Sequence, residues 1–163
     1  MPLFPPDVLK SAEEALSACR AAGLTVATAE SCTGGLIAGC LTELAGASDV
    51  LDRGFVTYSN QAKEELLGVP LSLIDAVGAV SAEVAEAMVK GALLRSRADL
   101  AVSVTGIAGP GGGSIHKPIG LVHFGLGRSG GQARTERRVF PGDRTAVRLA
   151  AVAHALGMLA SVA

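Results

Sequence analysis

Aromatic side chains are nearly missing from this 163-residue sequence, which has no Trp, one Tyr and four Phe. So sparse a set offers little to stack against unpaired bases, and single-stranded nucleic acid is disfavoured as a partner. An excess of one charge is missing too, because 14 basic and 15 acidic residues leave a formal net charge of -1. That balance gives no electrostatic footprint for DNA or for an anionic membrane surface. The three cysteines, Cys19, Cys32 and Cys40, are odd in number and contain no C-x-x-C pair. Neither a disulfide framework nor a Cys-rich zinc site is expected, and a reducing, cytoplasmic setting fits. The opening MPLFPPDVLK has no positively charged stretch leading into an apolar one, and its prolines argue against a signal peptide. No apolar run reaches the roughly 18 residues of a membrane span. The three histidines, His116, His123 and His154, show no H-E-x-x-H or other close ligand spacing, so no metal site is expected.

What is abundant is apolar and small. Hydrophobic residues make up 49% of the chain and glycine contributes 21 positions, ample for one well-filled core, so residues 1–163 are expected to form a single domain. Asp7 reads as the cap of a helix to about Arg20, with Gly23 as its stop. LTVATA (24–29) is a continuous apolar run suited to a strand buried on both faces. A helix follows from Thr33 to about Leu44. GFVTYS (54–59) reads as the second strand, Asn60 as the cap of helix QAKEELLG, and the stretch around Pro70 as a short loop. Ser81 caps a helix to about Arg95, and LAVSVT (100–105) is a third strand. The glycine-rich GIAGPGGGSIHKP then leads into strands IGLVHFGLG and ARTERRVF, joined by a bend at Ser129, Gly130 and Gly131. Asp143 caps the last helix, from Arg144 to about Leu159. Strands separated by helices predict a three-layer α/β/α sandwich. Its sheet is mostly parallel, of about five strands, with an antiparallel pair near the C-terminus.

In such a sheet ligands gather at the carboxyl ends of the strands, next to helix N-termini. Three distant clusters map to that edge: Ser31 after strand one, Tyr58 and Lys63 at and after the end of strand two, and Thr105 and Gly106 closing strand three. Ser31, on a strand-to-helix turn, suits a nucleophile whose oxyanion is held by the N–H groups of Cys32, Thr33 and Gly34. It also suits a plain N-cap. Cys32 is a rival only if its thiol is activated, and a packed side chain is the simpler reading. His154 shares a helical face with Val147, Ala151 and Met158 and reads as a core or interface residue. His123 lies within a strand and His116 in a loop. A lysine serves as base when burial depresses its pKa, and Lys63 is placed for that unless it is a solvated lysine paired with Glu64 or Glu65. No S-x-x-K motif is present, so a serine-lysine pair must be assembled by the fold. The glycine-rich loop lacks a G-x-x-x-x-G-K-[ST] motif and joins strand to strand, so it reads as a wall or lid. Arg144, at a helix start, is suited to a phosphate or to the bare surface.

The blocks TAESCTGGLIAG, RGFVTYSNQAKEELLGV, GAVSAEVAEAM, ADLAVSVTGIAGPGGGS, KPIGLVHFG and FPGDR follow in an order that resembles the C-terminal domain of the CinA (competence/damage-inducible) family. Bacterial nicotinamide mononucleotide deamidases are among its members. The resemblance implies hydrolysis of the amide of nicotinamide mononucleotide to nicotinic acid mononucleotide and ammonia, without metal or cofactor, in pyridine-nucleotide salvage. It implies Ser31 as nucleophile, assisted by Lys63 and Tyr58, with Glu30 orienting the turn. Glu30, Thr33, Gly34, Thr105, Gly106, Gly111, Gly112 and Arg144 are the expected substrate-binding positions. Longer relatives carry a molybdopterin-binding type domain that this sequence lacks, so the chain looks like the stand-alone form. A noncatalytic nucleotide- or partner-binding module of the same family is the alternative. The Ala-rich last helix, with Gly35 and Gly39, permits close helix contacts and suggests a homodimer.

Overall fold

In the computed structural model, which describes residues 1–162, one five-stranded sheet lies between two helical layers. In chain order the elements are α1 (Pro6–Ala21), β1 (Val26–Glu30), α2 (Leu36–Thr42), β2 (Leu51–Val56), α3 (Asn60–Leu67), α4 (Leu71–Val77), α5 (Ala82–Leu94), β3 (Leu100–Gly106), β4 (Leu121–Arg128), β5 (Ala133–Val139) and α6 (Arg144–Ala160). A single 3₁₀ turn, Ala47–Asp49, precedes β2. The sheet order is β2-β1-β3-β4-β5, with β1 parallel to both β2 and β3, and β4 antiparallel to β3 and β5. All strands but β4 therefore point the same way, as the alternation of strands and helices predicts. No helix among the described residues is long and apolar enough to cross a membrane.

Side chains sort by strand alternation. Val26, Leu100, Val102 and Val104 point into a core shared with α1, α2 and α6. Ala27, Ala29 and Ala101 point the other way, into a smaller core with α3, α4 and α5. Small residues on that second face let α5 lie close to the sheet, where Ser103 Oγ donates to the Ala85 carbonyl at 2.6 Å. α5 also touches α3 closely, because a Cβ on Gly91 would stand only 1.9 Å from the Leu67 carbonyl oxygen. Edge strands β2 and β5 carry most of the sheet's charged residues.

Several boundaries differ from the sequence reading, each for a local reason. α1 is capped by Pro5 and starts on Pro6, whose fixed φ suits the first helical turn, so Asp7 lies inside that turn. β1 is shifted two residues, to Val26. Gly34 and Gly35 adopt φ of 57° and 96°, a left-handed pair that delays α2 to Leu36 rather than Thr33. β2 ends at Val56, short of Tyr58. The cap of α3 is Ser59, whose hydroxyl accepts the Ala62 N–H, and Asn60 is the first helical residue. The stretch after Pro70 is a helix, α4, and not a loop, with Pro70 itself before its first turn. Ser81 and Asp143 cap α5 and α6 as expected, accepting the N–H groups of Val84 and Ala146.

Candidate active site

Parallel neighbours β2, β1 and β3 end at one sheet edge, and their ladders extend one residue further. The Ser31 N–H donates to the Val104 carbonyl at 3.0 Å, and the Thr57 N–H to the Glu30 carbonyl at 2.8 Å. These bonds fix the two residues that flank the chemistry. Alternation along β1 sends Glu30 toward α2 and Ser31 to the opposite side, toward α3.

Glu30 is 1% exposed and fully used. Its Oε1 accepts the Thr33 hydroxyl at 2.6 Å and the Ile37 N–H at 2.9 Å, while Oε2 accepts the Ala38 N–H at 3.1 Å. A carboxylate placed against unpaired N–H groups at a helix start is favourable both as hydrogen-bond acceptor and as charge. The turn between them, residues 31–35, is thereby fastened at both ends. Ser31 is not an N-cap, since α2 begins five residues later. Within the turn the Gly34 N–H donates to the Ser31 carbonyl at 2.9 Å, so it is spoken for. No other residue among those described accepts the Cys32 or the Thr33 N–H.

Across from Ser31 stands Lys63, among the largest fully buried side chains, with 1% exposure. Its Nζ lies 3.0 Å from Ser31 Oγ, 2.9 Å from the Thr57 carbonyl oxygen and 3.3 Å from that of Tyr58. Glu64 and Glu65 are exposed and do not pair with it. Burial without a carboxylate partner pushes the Lys63 ammonium down from 10.5 to about 8, the small opposing influence being Cys32. A neutral amine has two N–H donors and one lone pair. Two carbonyls take the donors, and the lone pair is left to face Ser31 Oγ. The Cys32 thiol beside this pair is buried and pushed up to about 11, chiefly by desolvation. It stays protonated, in agreement with a packed side chain and not a nucleophile.

Ser31 and Lys63 open onto a cavity of about 270 Å³ whose lining includes Cys32, Tyr58, Asn60, Thr105, Gly106, Gly111, Gly112 and Arg144. Thr105 is held in place by donating to the Ala79 carbonyl at 2.9 Å. Arg144 reaches across the mouth, with Nη1 2.7 Å from the Gly109 carbonyl and Nη2 3.2 Å from the Tyr58 hydroxyl. Tyr58 is 62% exposed, and its hydroxyl meets Arg144 instead of Ser31 or Lys63. Glu30, Thr33 and Gly34 lie outside the cavity lining and support it from beneath. The glycine-rich loop is strapped down on its far side, where Lys117 Nζ donates to the Val77 carbonyl at 2.7 Å.

None of the histidines lines this cavity. His116 is exposed, and His154 Nε2 sits 2.8 Å from Glu136 Oε2 with its ring against Phe124. His123 is half-buried, its Nδ1 has no partner, and burial followed by Arg137 and Lys117 pushes its pKa down. Among the described residues no three His, Cys, Asp or Glu side chains cluster as metal ligands. Sequence reasoning passed over Asn60, Ala79 and Val80, which line the cavity. Asn60 is legible once Ser59 is recognised as the cap, whereas the two apolar residues carry no local signal. It also passed over Arg148, one turn after Arg144 on the same face of α6, whose Nε donates to the Cys32 carbonyl at 3.0 Å.

Residues 9–163 match the family model described as the CinA C-terminal domain. The chain is 54% identical over 140 residues to the nicotinamide-nucleotide amidohydrolase PncC of Enterobacter agglomerans, covering 86% of this chain and 85% of that one. It is 48% identical over 153 residues to the protein of the same name from Escherichia coli, covering 94% and 93%. Among solved structures, the competence/damage inducible protein CihA from Agrobacterium tumefaciens superposes with a TM-score of 0.95 at 52% identity, over 99% of both chains. The fold, the order of its sequence blocks and these likenesses agree, and the chain belongs to the CinA C-terminal domain family.

Proposed function

We propose that this protein hydrolyses the carboxamide of nicotinamide mononucleotide to the carboxylate and ammonia, using Ser31 as nucleophile and Lys63 as base. The reading takes its substrate from the names of the relatives, and its mechanism rests on one observation, the 3.0 Å approach of a buried, uncompensated lysine to Ser31 Oγ. Neutral Lys63 accepts the Ser31 proton as Oγ bonds to the carboxamide carbon. The resulting oxyanion is held by the N–H group of Cys32, which lines the cavity beside Ser31. Collapse breaks the C–N bond, and the Lys63 ammonium returns the proton to the departing nitrogen, releasing ammonia. An acyl ester on Ser31 remains. Water then gives a proton to Lys63 and attacks the ester, and Ser31 Oγ leaves with that proton.

Tyr58 forms one wall and is tied to Arg144, which with the loop N–H groups of Gly111 and Gly112 receives the nucleotide phosphate at the start of α6. Thr105 and Gly106 line the floor beside Ser31. We read residues 1–163 as one catalytic domain, acting in the cytoplasm in pyridine-nucleotide salvage, as a homodimer. The test is ammonia release from nicotinamide mononucleotide without added metal, compared with Ser31→Ala. That variant should bind the nucleotide but release no ammonia; turnover near that of the parent would remove Ser31 from the mechanism.

A further inference from the structure

Nearly every polar side chain that lines the Ser31 cavity already serves a partner. Ser31 and Lys63 face each other at 3.0 Å. Thr105 gives its hydroxyl proton to the Ala79 carbonyl, and Arg144 divides its guanidinium between the Gly109 carbonyl and the Tyr58 hydroxyl. Cys32 offers only a buried thiol, a weak hydrogen-bonding group. Asn60 is the exception. It lines the same cavity and is exposed, and among the described residues its side-chain amide bonds to nothing. Nor does that amide serve α3, because the Ser59 hydroxyl caps the helix by accepting the Ala62 N–H. Two N–H donors and an acceptor oxygen are thus left uncommitted at the wall of the cavity.

The place of Asn60 on that wall follows from the helix. Asn60 and Lys63 are three residues apart and share a face of α3, separated by about 4.5 Å along its axis. Helical side chains lean toward the N-terminus, so Asn60 stands on the outer side of Lys63. Tyr58 comes next, with its hydroxyl on Arg144 at the mouth. From floor to mouth the wall therefore runs Lys63, Asn60, Tyr58, and exposure rises from 1% at Lys63 to 62% at Tyr58. A nicotinamide nucleotide has its own covalent order of carboxamide, pyridine ring, ribose and phosphate. With the carboxamide carbon at Ser31 Oγ and the phosphate at Arg144, the ribose falls between them, level with Asn60. Building on the proposed amide hydrolysis, we propose that Asn60 determines specificity for the sugar: its amide bonds the vicinal hydroxyls of the ribose and so selects ribonucleotide substrates. A vicinal diol presents O–H donors and acceptor oxygens together, which an amide matches by accepting through Oδ1 and donating through Nδ2. A substrate without those hydroxyls would cover the amide and leave it unpaired, which is how a polar site rejects such an analogue.

The experiment compares the parent with Asn60→Ala and Asn60→Asp in the full chain, on two substrates: nicotinamide mononucleotide and its dideoxy form, whose sugar lacks both secondary hydroxyls. In the parent, kcat/KM should favour the ribose form by about 10-fold. For Asn60→Ala that preference should shrink to less than about twofold, because kcat/KM falls about 10-fold on the ribose form and hardly moves on the dideoxy form. The loss should lie in KM, as expected for a contact made equally in the ground and transition states. Asn60→Asp still accepts from both hydroxyls and should keep part of the preference. A variant that merely disturbed the start of α3, and with it Lys63, would lose kcat on both substrates alike. Such an equal loss, or a parent with no preference between the two, would overturn the proposal. If Asn60→Ala does not fold, Asn60→Ser is read by the same criteria. Should the parent release no ammonia, the proposed function fails by itself, and the sugar claim is decided by calorimetric Kd values of both nucleotides for the parent and Asn60→Ala. A preference for the ribose form that disappears in the variant supports it, whereas equal affinities in the parent, or no binding of either nucleotide, refute it.

Discussion

Replacing Lys63 with methionine should make this protein more stable and leave it inactive. The side chain is 1% exposed, and burial alone takes its pKa from 10.5 to about 8. A lowered lysine pKa means that the folded state resists the charged form. Between pH 8 and 10.5 the unfolded chain binds more protons than the folded one, so stability rises with pH across that window. Below pH 8 the full penalty applies, about 3 kcal/mol from the two pKa values. Methionine has similar length and carries no charge, so at pH 7 the variant escapes this cost. It forfeits the contacts to the Thr57 and Tyr58 carbonyls, at about 1 kcal/mol each, while Ser31 Oγ, which opens onto the cavity, exchanges its Lys63 contact for water, for a net gain of about 1 kcal/mol. Urea unfolding of both proteins at pH 7, 8, 9 and 10 reads this directly: the parent should gain stability over the series, and Lys63→Met should show a flatter profile. For the parent, kcat/KM should rise with an apparent pKa near 8, set by the fraction of neutral Lys63. Parallel stability profiles, or a variant weaker than the parent at pH 7, would show that Lys63 is not buried at a cost, and the argument for a neutral base would lose its ground.

Arg144→Ala should raise KM for nicotinamide mononucleotide about 10- to 100-fold while leaving nicotinamide riboside nearly unaffected, because only the nucleotide carries the phosphate assigned to that guanidinium; steady-state kinetics on both substrates checks it. Gly91→Ala should destabilise by more than about 3 kcal/mol, since the added Cβ would stand 1.9 Å from the Leu67 carbonyl and α3 must move to relieve it. Because α3 carries Lys63, any folded fraction should also lose activity, which thermal unfolding and ammonia release measured on one sample would reveal.

The layers, the sheet and the meeting of Ser31 with Lys63 were legible because apolar runs and caps mark elements, and parallel strands must end at one edge. Ser81 and Asp143 show how directly a capping residue speaks, since the acceptor lies three residues from its donor. What was not legible depended on pairings distant in sequence. The end of β2 is set by the bond between Thr57 and Glu30, and nothing in GFVTYS distinguishes its paired residues from its unpaired ones. The start of α2 depends on two glycines whose left-handed φ values exist only because the turn must close. α4 escapes a sequence reading because Pro70 suits a loop as well as it suits the position before a helix. Tyr58 shows the same limit at the site: its place near the strand end is readable, but its hydroxyl partner, Arg144, comes from the far end of the chain.

Glu30 offers the sharpest test of whether the turn is a built device or a passive loop. Its two oxygens accept from three donors: the Thr33 hydroxyl, Ile37 N–H and Ala38 N–H. Glu30→Gln keeps the shape but exchanges one acceptor for an N–H₂ group, which then faces a donor in a site closed to water. Leaving that pairing unsatisfied should cost about 2 to 3 kcal/mol. Thr33→Val removes a single donor and should cost about 1 kcal/mol. In the double variant the Thr33 hydroxyl that is lost was donating to a neutral amide oxygen and no longer to a carboxylate, so the two losses should not add; the combined effect should fall short of their sum by at least about 0.5 kcal/mol. Urea unfolding of the four proteins completes that cycle. Kinetics on the same set separates support from structure, because a loosened turn should lower kcat more than it raises KM. Strict additivity together with an unchanged kcat would mean that Glu30 merely fills space, and that Ser31 is held by the Val104 ladder bond alone.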